Sequence, residues 1–283
     1  MTMSLPPIVP AEDAAGLLER PTVRLIDVRW ALDGSKGEHT YLAGHVPGAV
    51  YVDLGTELAA PATPERGRHP LPAPADFAAT ASRAGIGDES TVLVLDDTDG
   101  SQASRLVWML RALGVSAAVV DGGHAALLEA TGASPATDRV VPEPAVFTAR
   151  PWGPEVIATA DEVAAAALRP GATVIDARAP ERFRGETEPI DPRAGHVPGA
   201  INVPFAGNVG ADGRFLTADH LADRFTAAGL DPDGEVIVYC GSGVTATHDL
   251  LALERAGVRG ARLFPGSWSQ WSADASREVA TGA

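Results

Sequence analysis

The segment A-G-H-V-P-G-A-V-Y-V-D-L begins at Ala43, and A-G-H-V-P-G-A-I-N-V-P-F begins at Ala194, about half of the 283-residue chain later. Other segments recur in the same order. V-R-L-I-D-V-R ending at Arg29 is answered by A-T-V-I-D-A-R ending at Arg178, and T-V-L-V-L-D-D from Thr91 by E-V-I-V-Y-C-G from Glu235. L-R-A-L-G-V from Leu110 is answered by L-E-R-A-G-V from Leu253. The chain is a duplicated unit, so both halves must satisfy one fold. Residues 22–28 and 91–95 predict buried strands, being short β-branched runs bounded by turn residues. Residues 103–113 and 244–256 have helical spacing and end at Gly114 and Gly257, where helix C-caps are expected. Strands alternating with helices of this size predict an α/β fold of two tandem domains, each a mainly parallel sheet flanked by helices. The Pro-rich stretch 134–154 has no periodicity. The expected boundaries are therefore 1–137 for the N-terminal domain, 138–155 for a linker and 156–283 for the C-terminal domain.

Composition narrows the setting. A hydrophobic fraction of 45% and a charged fraction of 21% suit a globular protein, and a single cysteine forbids an internal disulfide. A net charge of −15 speaks against nucleic-acid partners. Apolar runs such as V-L-V-L at 92–95 are strand-sized, so no membrane association is expected. The N-terminus M-T-M-S-L-P-P-I-V-P lacks the basic-then-apolar pattern of a secretory leader, and the expected location is cytoplasmic.

Duplication also separates fold from function. A feature present in both halves serves folding first; a feature in one half is the better functional candidate. His45 and His196 share the G-H-V-P-G-A context, and Asp27–Arg29 matches Asp176–Arg178, so all six are read as turn and strand-end anchors. Cys240 has no counterpart: the matching position is Asp96, with D-D-T-D-G-S in place of C-G-S-G-V-T. A lone thiol can be a small core side chain. Placed at the carboxyl end of a parallel strand, before a Gly-rich loop and a helix, it also sits where ligands bind and backbone N–H groups converge on anions. That setting favours a thiolate nucleophile over a free thiol of pKa about 8.5. The segment 181–193 is asymmetric as well, carrying Arg182, Arg184 and Arg193 where the first half has one lysine and no arginine. Arginines beside a thiol can admit a small anion to an acidic protein. Their alternative is a solvated loop neutralised by Glu181, Glu186, Glu188 and Asp191. A phosphatase loop of the C-x5-R type needs arginine where Ala246 stands, and a dithiol mechanism needs a second cysteine. The histidines are scattered at no ligand spacing, so no metal and no other cofactor is expected.

The tandem architecture, both G-H-V-P-G-A segments, R-F-R-G-E-T-E-P and C-G-S-G-V-T-A resemble the two-domain rhodanese family of sulfurtransferases over nearly the whole chain. Members with Gly-Ser-Gly after the cysteine, here Gly241, Ser242 and Gly243, are typically of the 3-mercaptopyruvate type. The resemblance implies that Cys240 takes sulfur from a small anionic donor as a persulfide and passes it to a thiol, a thioredoxin-like protein or cyanide. It implies a silent first half, with Asp96 at the cysteine position. Gly241, Gly243, Val244 and Thr245 would bind the anionic sulfur through backbone N–H groups, Arg182 the donor's acidic end, and Arg193 would assist. In R-G-R-H-P-L-P, His69 stands where the mercaptopyruvate type has a histidine joined to the loop serine, here Ser242, and to an aspartate. Gly55 occupies the aspartate's position, with Asp53 and Glu57 nearby in sequence. The alternative donor is thiosulfate, and the alternative role is a persulfide carrier or regulatory module without turnover.

Overall fold

The computed structural model describes residues 5–282. The sequence pattern resolves into two parallel sheets. In the first, β1 (Ile8–Pro10), β2 (Val23–Asp27), β3 (Val50–Tyr51), β4 (Thr91–Leu95) and β5 (Ser116–Asp121) lie in the order β1-β5-β4-β2-β3. In the second, β6 (Ala172–Asp176), β7 (Ile201–Asn202), β8 (Glu235–Tyr239) and β9 (Arg262–Leu263) lie in the order β7-β6-β8-β9. Read from the other edge, the second order repeats β5-β4-β2-β3, and Ile157 bridges Leu263 in parallel where β1 pairs with β5. Every residue of β4 is buried, as are the last four of β8, because helices cover both faces of each sheet. Leu25 and Leu93 pack in the first core, Val174, Ile237 and Trp268 in the second. The expected α/β class is the one found.

Helices occupy Ala103–Ala112 and Ala246–Arg255, each closed by a left-handed glycine, Gly114 at φ 81° and Gly257 at φ 92°. The second begins two residues later than periodicity predicts because Val244 and Thr245 enter through tighter turns, their carbonyls accepting the N–H groups three residues on. The duplicated polar residues form matching clasps. Arg29 Nη2 pairs with Asp27 Oδ2 at 2.6 Å and Nη1 donates to the Gly44 carbonyl; Arg178 Nη2 pairs with Asp176 Oδ2 at 2.6 Å and donates to the Gly195 carbonyl. His45 Nδ1 bonds the Tyr41 carbonyl and His196 Nδ1 that of Phe183, each ring stacked on its partner's. Each clasp ties the G-H-V-P-G-A turn to a strand end. No helix among the described residues is long and apolar enough to cross a membrane.

The compact units do not follow the linear halves. The first comprises the described residues up to Ala60, Pro72–Trp152 and Gly210–Phe215; the second comprises Pro61–Leu71, Gly153–Val209 and the described residues from Leu216 onward. Much of the stretch expected as a linker is fixed to the first unit. Phe147 is buried edge-on to Phe77, Arg150 pairs with Asp88, and Trp152 Nε1 donates to the Pro72 carbonyl at 2.9 Å. Apolar anchors in a Pro-rich segment escape periodicity because they follow no regular spacing.

Candidate active site

Cys240 follows β8 and is buried. Burial alone fits a core thiol, but its sulfur accepts the Gly243 N–H at 3.1 Å. A neutral thiol sulfur is a weak acceptor, whereas a thiolate takes such a bond well. Gly241 and Ser242 follow the thiol, and Gly243 closes back on its sulfur. Val244 and Thr245 then enter helix Ala246–Arg255 through Thr247 N–H to Val244 O at 3.0 Å and His248 N–H to Thr245 O at 3.1 Å. The positive end of a ten-residue helix thus follows the loop. Gly243 is required twice over: its φ is 77°, and a Cβ there would lie 2.5 Å from the Pro265 carbonyl oxygen. Gly243→Ala is expected to cost about 2–3 kcal/mol of stability, measurable as a lowered midpoint of thermal unfolding.

The loop rests on a strained support. Ser267 holds φ 52°, the left-handed region, where the matching first-half residue is Gly123 at φ 60°. A serine tolerates this at a cost of order 1 kcal/mol. Its hydroxyl accepts the Cys240 N–H at 3.1 Å and donates to the Phe264 carbonyl at 2.9 Å, a tie that glycine cannot make. The Trp268 and Ser269 N–H groups donate to the carbonyls of Cys240 and Gly241, both at 2.9 Å.

Pro61–Leu71 supplies the next layer. Gly67 lies so close to the Ser267–Ala273 helix start that a Cβ would be 2.5 Å from the Gly266 carbonyl oxygen. The Arg68 N–H donates to Ser269 Oγ at 3.0 Å. His69 Nδ1 and Ser242 Oγ are then 2.8 Å apart, both residues 8% exposed, so the structure joins this expected pair. The nearby carboxylates considered for a third member are engaged in the first unit. Asp53 caps helix Leu54–Glu57 by accepting the Thr56 N–H at 2.8 Å, and Glu57 accepts the Asp53 N–H and pairs with Arg83.

The arginines separate into two groups. Arg182 Nη2 pairs with Glu188 at 2.5 Å and Asp191 at 3.3 Å, while Arg68 Nη1 takes the other Asp191 oxygen at 2.5 Å. Burial pushes the Asp191 carboxyl up from its ordinary pKa, with Arg68 and Arg182 pulling against it. Arg182 belongs with the loop, since a Gly241 Cβ would lie 3.5 Å from its Nη1. Arg193 does not, which corrects its assignment as a donor-binding residue. Its guanidinium holds the carbonyls of Ser272, Arg277, Trp271 and Asp274 at 2.6–2.9 Å, fastening the C-terminal segment. Arg184 pairs with Glu186 at the surface. Arg68 was missed in the sequence, where adjacency to His69 was its one signal.

In the first unit the equivalent loop is filled by Asp96. This fully buried carboxylate accepts the N–H groups of Thr98, Gly100, Gln102 and Ala103 at 2.9–3.1 Å, and the Thr98 hydroxyl at 3.0 Å. Burial pushes its pKa up, and the Ala103, Thr98 and Gly100 donors oppose that. Five donors aimed at two oxygens accommodate the ionised form. Both loops therefore turn backbone N–H toward the side chain at one strand-end position, four groups on Asp96 and that of Gly243 on Cys240. Among the described residues no group of three or more His, Cys, Asp or Glu side chains is placed to hold a metal ion.

The chain matches the rhodanese-like domain family over residues 10–130 and 159–274. It is 42% identical to a Mycobacterium tuberculosis protein that carries the name thiosulfate sulfurtransferase SseB, over 97% of each chain. It is also 42% identical to a Pseudomonas aeruginosa protein that carries the name 3-mercaptopyruvate sulfurtransferase, over 99% of this chain and all of the relative. Among solved structures, SseA of Escherichia coli, described as a 3-mercaptopyruvate sulfotransferase with the rhodanese fold, superposes with a TM-score of 0.82 at 33% identity. That match covers 93% of this chain and 99% of SseA.

Proposed function

The chain belongs to the rhodanese-like family, and from that premise we propose that it is a sulfurtransferase moving sulfur from 3-mercaptopyruvate, through a Cys240 persulfide, to a thiol acceptor. The observation that carries the donor assignment is the 2.8 Å contact between His69 and Ser242, in the loop that closes back on the thiol. The Cys240 thiolate attacks the donor sulfur, an S–S bond forms, the donor's C–S bond breaks, and the electron pair leaves as the enolate of pyruvate. The Ser242 hydroxyl delivers a proton to that carbon, the hydrogen-bonded His69 returns one to Ser242, and the proton carried in on the donor's thiol makes up that loss as the new persulfide ionises. Gly241, Gly243, Val244 and Thr245 hold the persulfide anion with N–H groups and the helix end, a preorganised field that needs no rearrangement as charge builds. Arg182 binds the donor's carboxylate. A second thiol, small or borne by a thioredoxin-like protein, then attacks the outer sulfur and restores the Cys240 thiolate. Reduced thiols are abundant in the cytoplasm, the compartment that suits this cycle. In the first unit Asp96 already fills the cradle with a charge of its own, and we read that unit as catalytically silent.

The test is kcat/KM for 3-mercaptopyruvate and thiosulfate on one preparation, before and after Ser242→Ala. We expect 3-mercaptopyruvate to be preferred. Ser242→Ala should lower its kcat about a hundredfold, the scale of a lost proton donor, and leave thiosulfate turnover nearly unchanged because sulfite departs without protonation. A wild-type preference for thiosulfate, the activity named for the M. tuberculosis relative, would overturn the donor assignment.

A further inference from the structure

Two guanidinium groups converge on Gly241, the residue after the nucleophile. A Cβ built there would lie 3.1 Å from Arg68 Nη2 and 3.5 Å from Arg182 Nη1. Like charges aimed at one point repel unless something anionic joins them. Asp191 joins them from one side, one oxygen on each arginine, through Arg68 Nη1 and Arg182 Nη2. The nitrogens nearest Gly241 are therefore not those used in the ion pairs. Both Nε atoms are buried without a hydrogen-bond partner among the described residues. The side chains of Arg68 and Arg182 remain 20% and 18% exposed, so a small solute can reach them. Arg193, fastened to four carbonyls, is engaged elsewhere.

We propose that Arg68 binds the anionic end of the sulfur donor, forming with Arg182 a two-armed clamp over Gly241 that selects donors bearing a carboxylate. The inference rests on the sulfurtransferase reading and deepens it. Asp191 sets the separation of the arms, and Gly241 keeps clear the space that a side chain would fill. A carboxylate two or three bonds from a transferable sulfur meets both planar forks while its sulfur reaches Cys240. Thiosulfate, whose oxygens sit on the atom next to the transferred sulfur, has a shorter reach and gains less from the second arm.

Steady-state kinetics of wild type, Arg68→Gln and Arg68→Lys with each donor test this, together with inhibition by pyruvate. Arg68→Gln should raise KM for 3-mercaptopyruvate and Ki for pyruvate about 10- to 100-fold, the scale of a lost charge-assisted pair, with kcat nearly unchanged. Arg68→Lys should recover part of both, since charge returns without the fork. A fall in kcat with unmoved KM and Ki would mark Arg68 as structural and overturn the proposal. An equal rise in KM for thiosulfate would keep the anion site and overturn the carboxylate preference. If wild type turns over neither donor, the sulfurtransferase reading itself fails and the clamp with it; a wild type that turns over 3-mercaptopyruvate isolates the question to Arg68.

Discussion

Cys240→Ser is expected to abolish sulfur transfer, lowering kcat/KM by about 10⁴-fold or more with either donor, the scale on which enzymes lose a covalent nucleophile. A serine hydroxyl is nearly isosteric with the thiol, and the Gly243 N–H can still find an oxygen there. The fold should survive, with a thermal midpoint close to that of wild type. What disappears is a sulfur nucleophile that forms a stable bond to a second sulfur. Intact-protein mass spectrometry after mixing with donor gives the second readout: one added sulfur on wild type, none on the variant. Turnover beyond one equivalent per chain separates an enzyme from a carrier, which would load once and stop. Retained activity in Cys240→Ser would remove the mechanism altogether.

Asp96→Ala should give the largest loss of stability, about 3–5 kcal/mol, seen as a shift of the denaturant midpoint. The carboxylate is buried and takes five hydrogen bonds from its own loop, so truncation leaves the buried Gly100 and Ala103 N–H groups without their acceptor and frees the more exposed Thr98 and Gln102 donors to find another. Asp96→Asn should recover only part, since its amide nitrogen must face donors where an oxygen stood. Neither change should create sulfurtransferase activity in the first unit. A near-wild-type midpoint for Asp96→Ala would mean that water replaces the carboxylate at little cost, and that the loop does not depend on its internal anion.

Much of this architecture was legible in the repeat. Segments recurring in one order obliged both halves to build the same strand order, and the duplicated Asp-x-Arg and histidine positions proved to be matching clasps. Asymmetry singled out Cys240 against Asp96, and both stand at strand ends, Asp96 taking four backbone N–H groups of its loop and Cys240 that of Gly243. Arginines were less legible. Arg182 and Arg193 lie in one segment with identical chemistry, and only tertiary placement sends one toward Gly241 and the other onto carbonyls near the C-terminus. The serine at the Gly123-equivalent position was hidden for another reason: a left-handed backbone is unexpected at Ser267, and its contact with the Cys240 N–H spans 27 residues of sequence. Pro61–Leu71 carries no periodicity at all, so its membership in the second unit follows from close backbone approach at Gly67 and polar contacts at Arg68 and His69.

That short segment has a consequence for the history written in the repeat. A gene cut at the repeat boundary would yield a second half with its thiol, its cradle and Arg182, yet without His69 or Arg68, which lie before the cut. The first half would keep those two residues with no thiol to serve. Of the site proposed above, neither copy carries every residue.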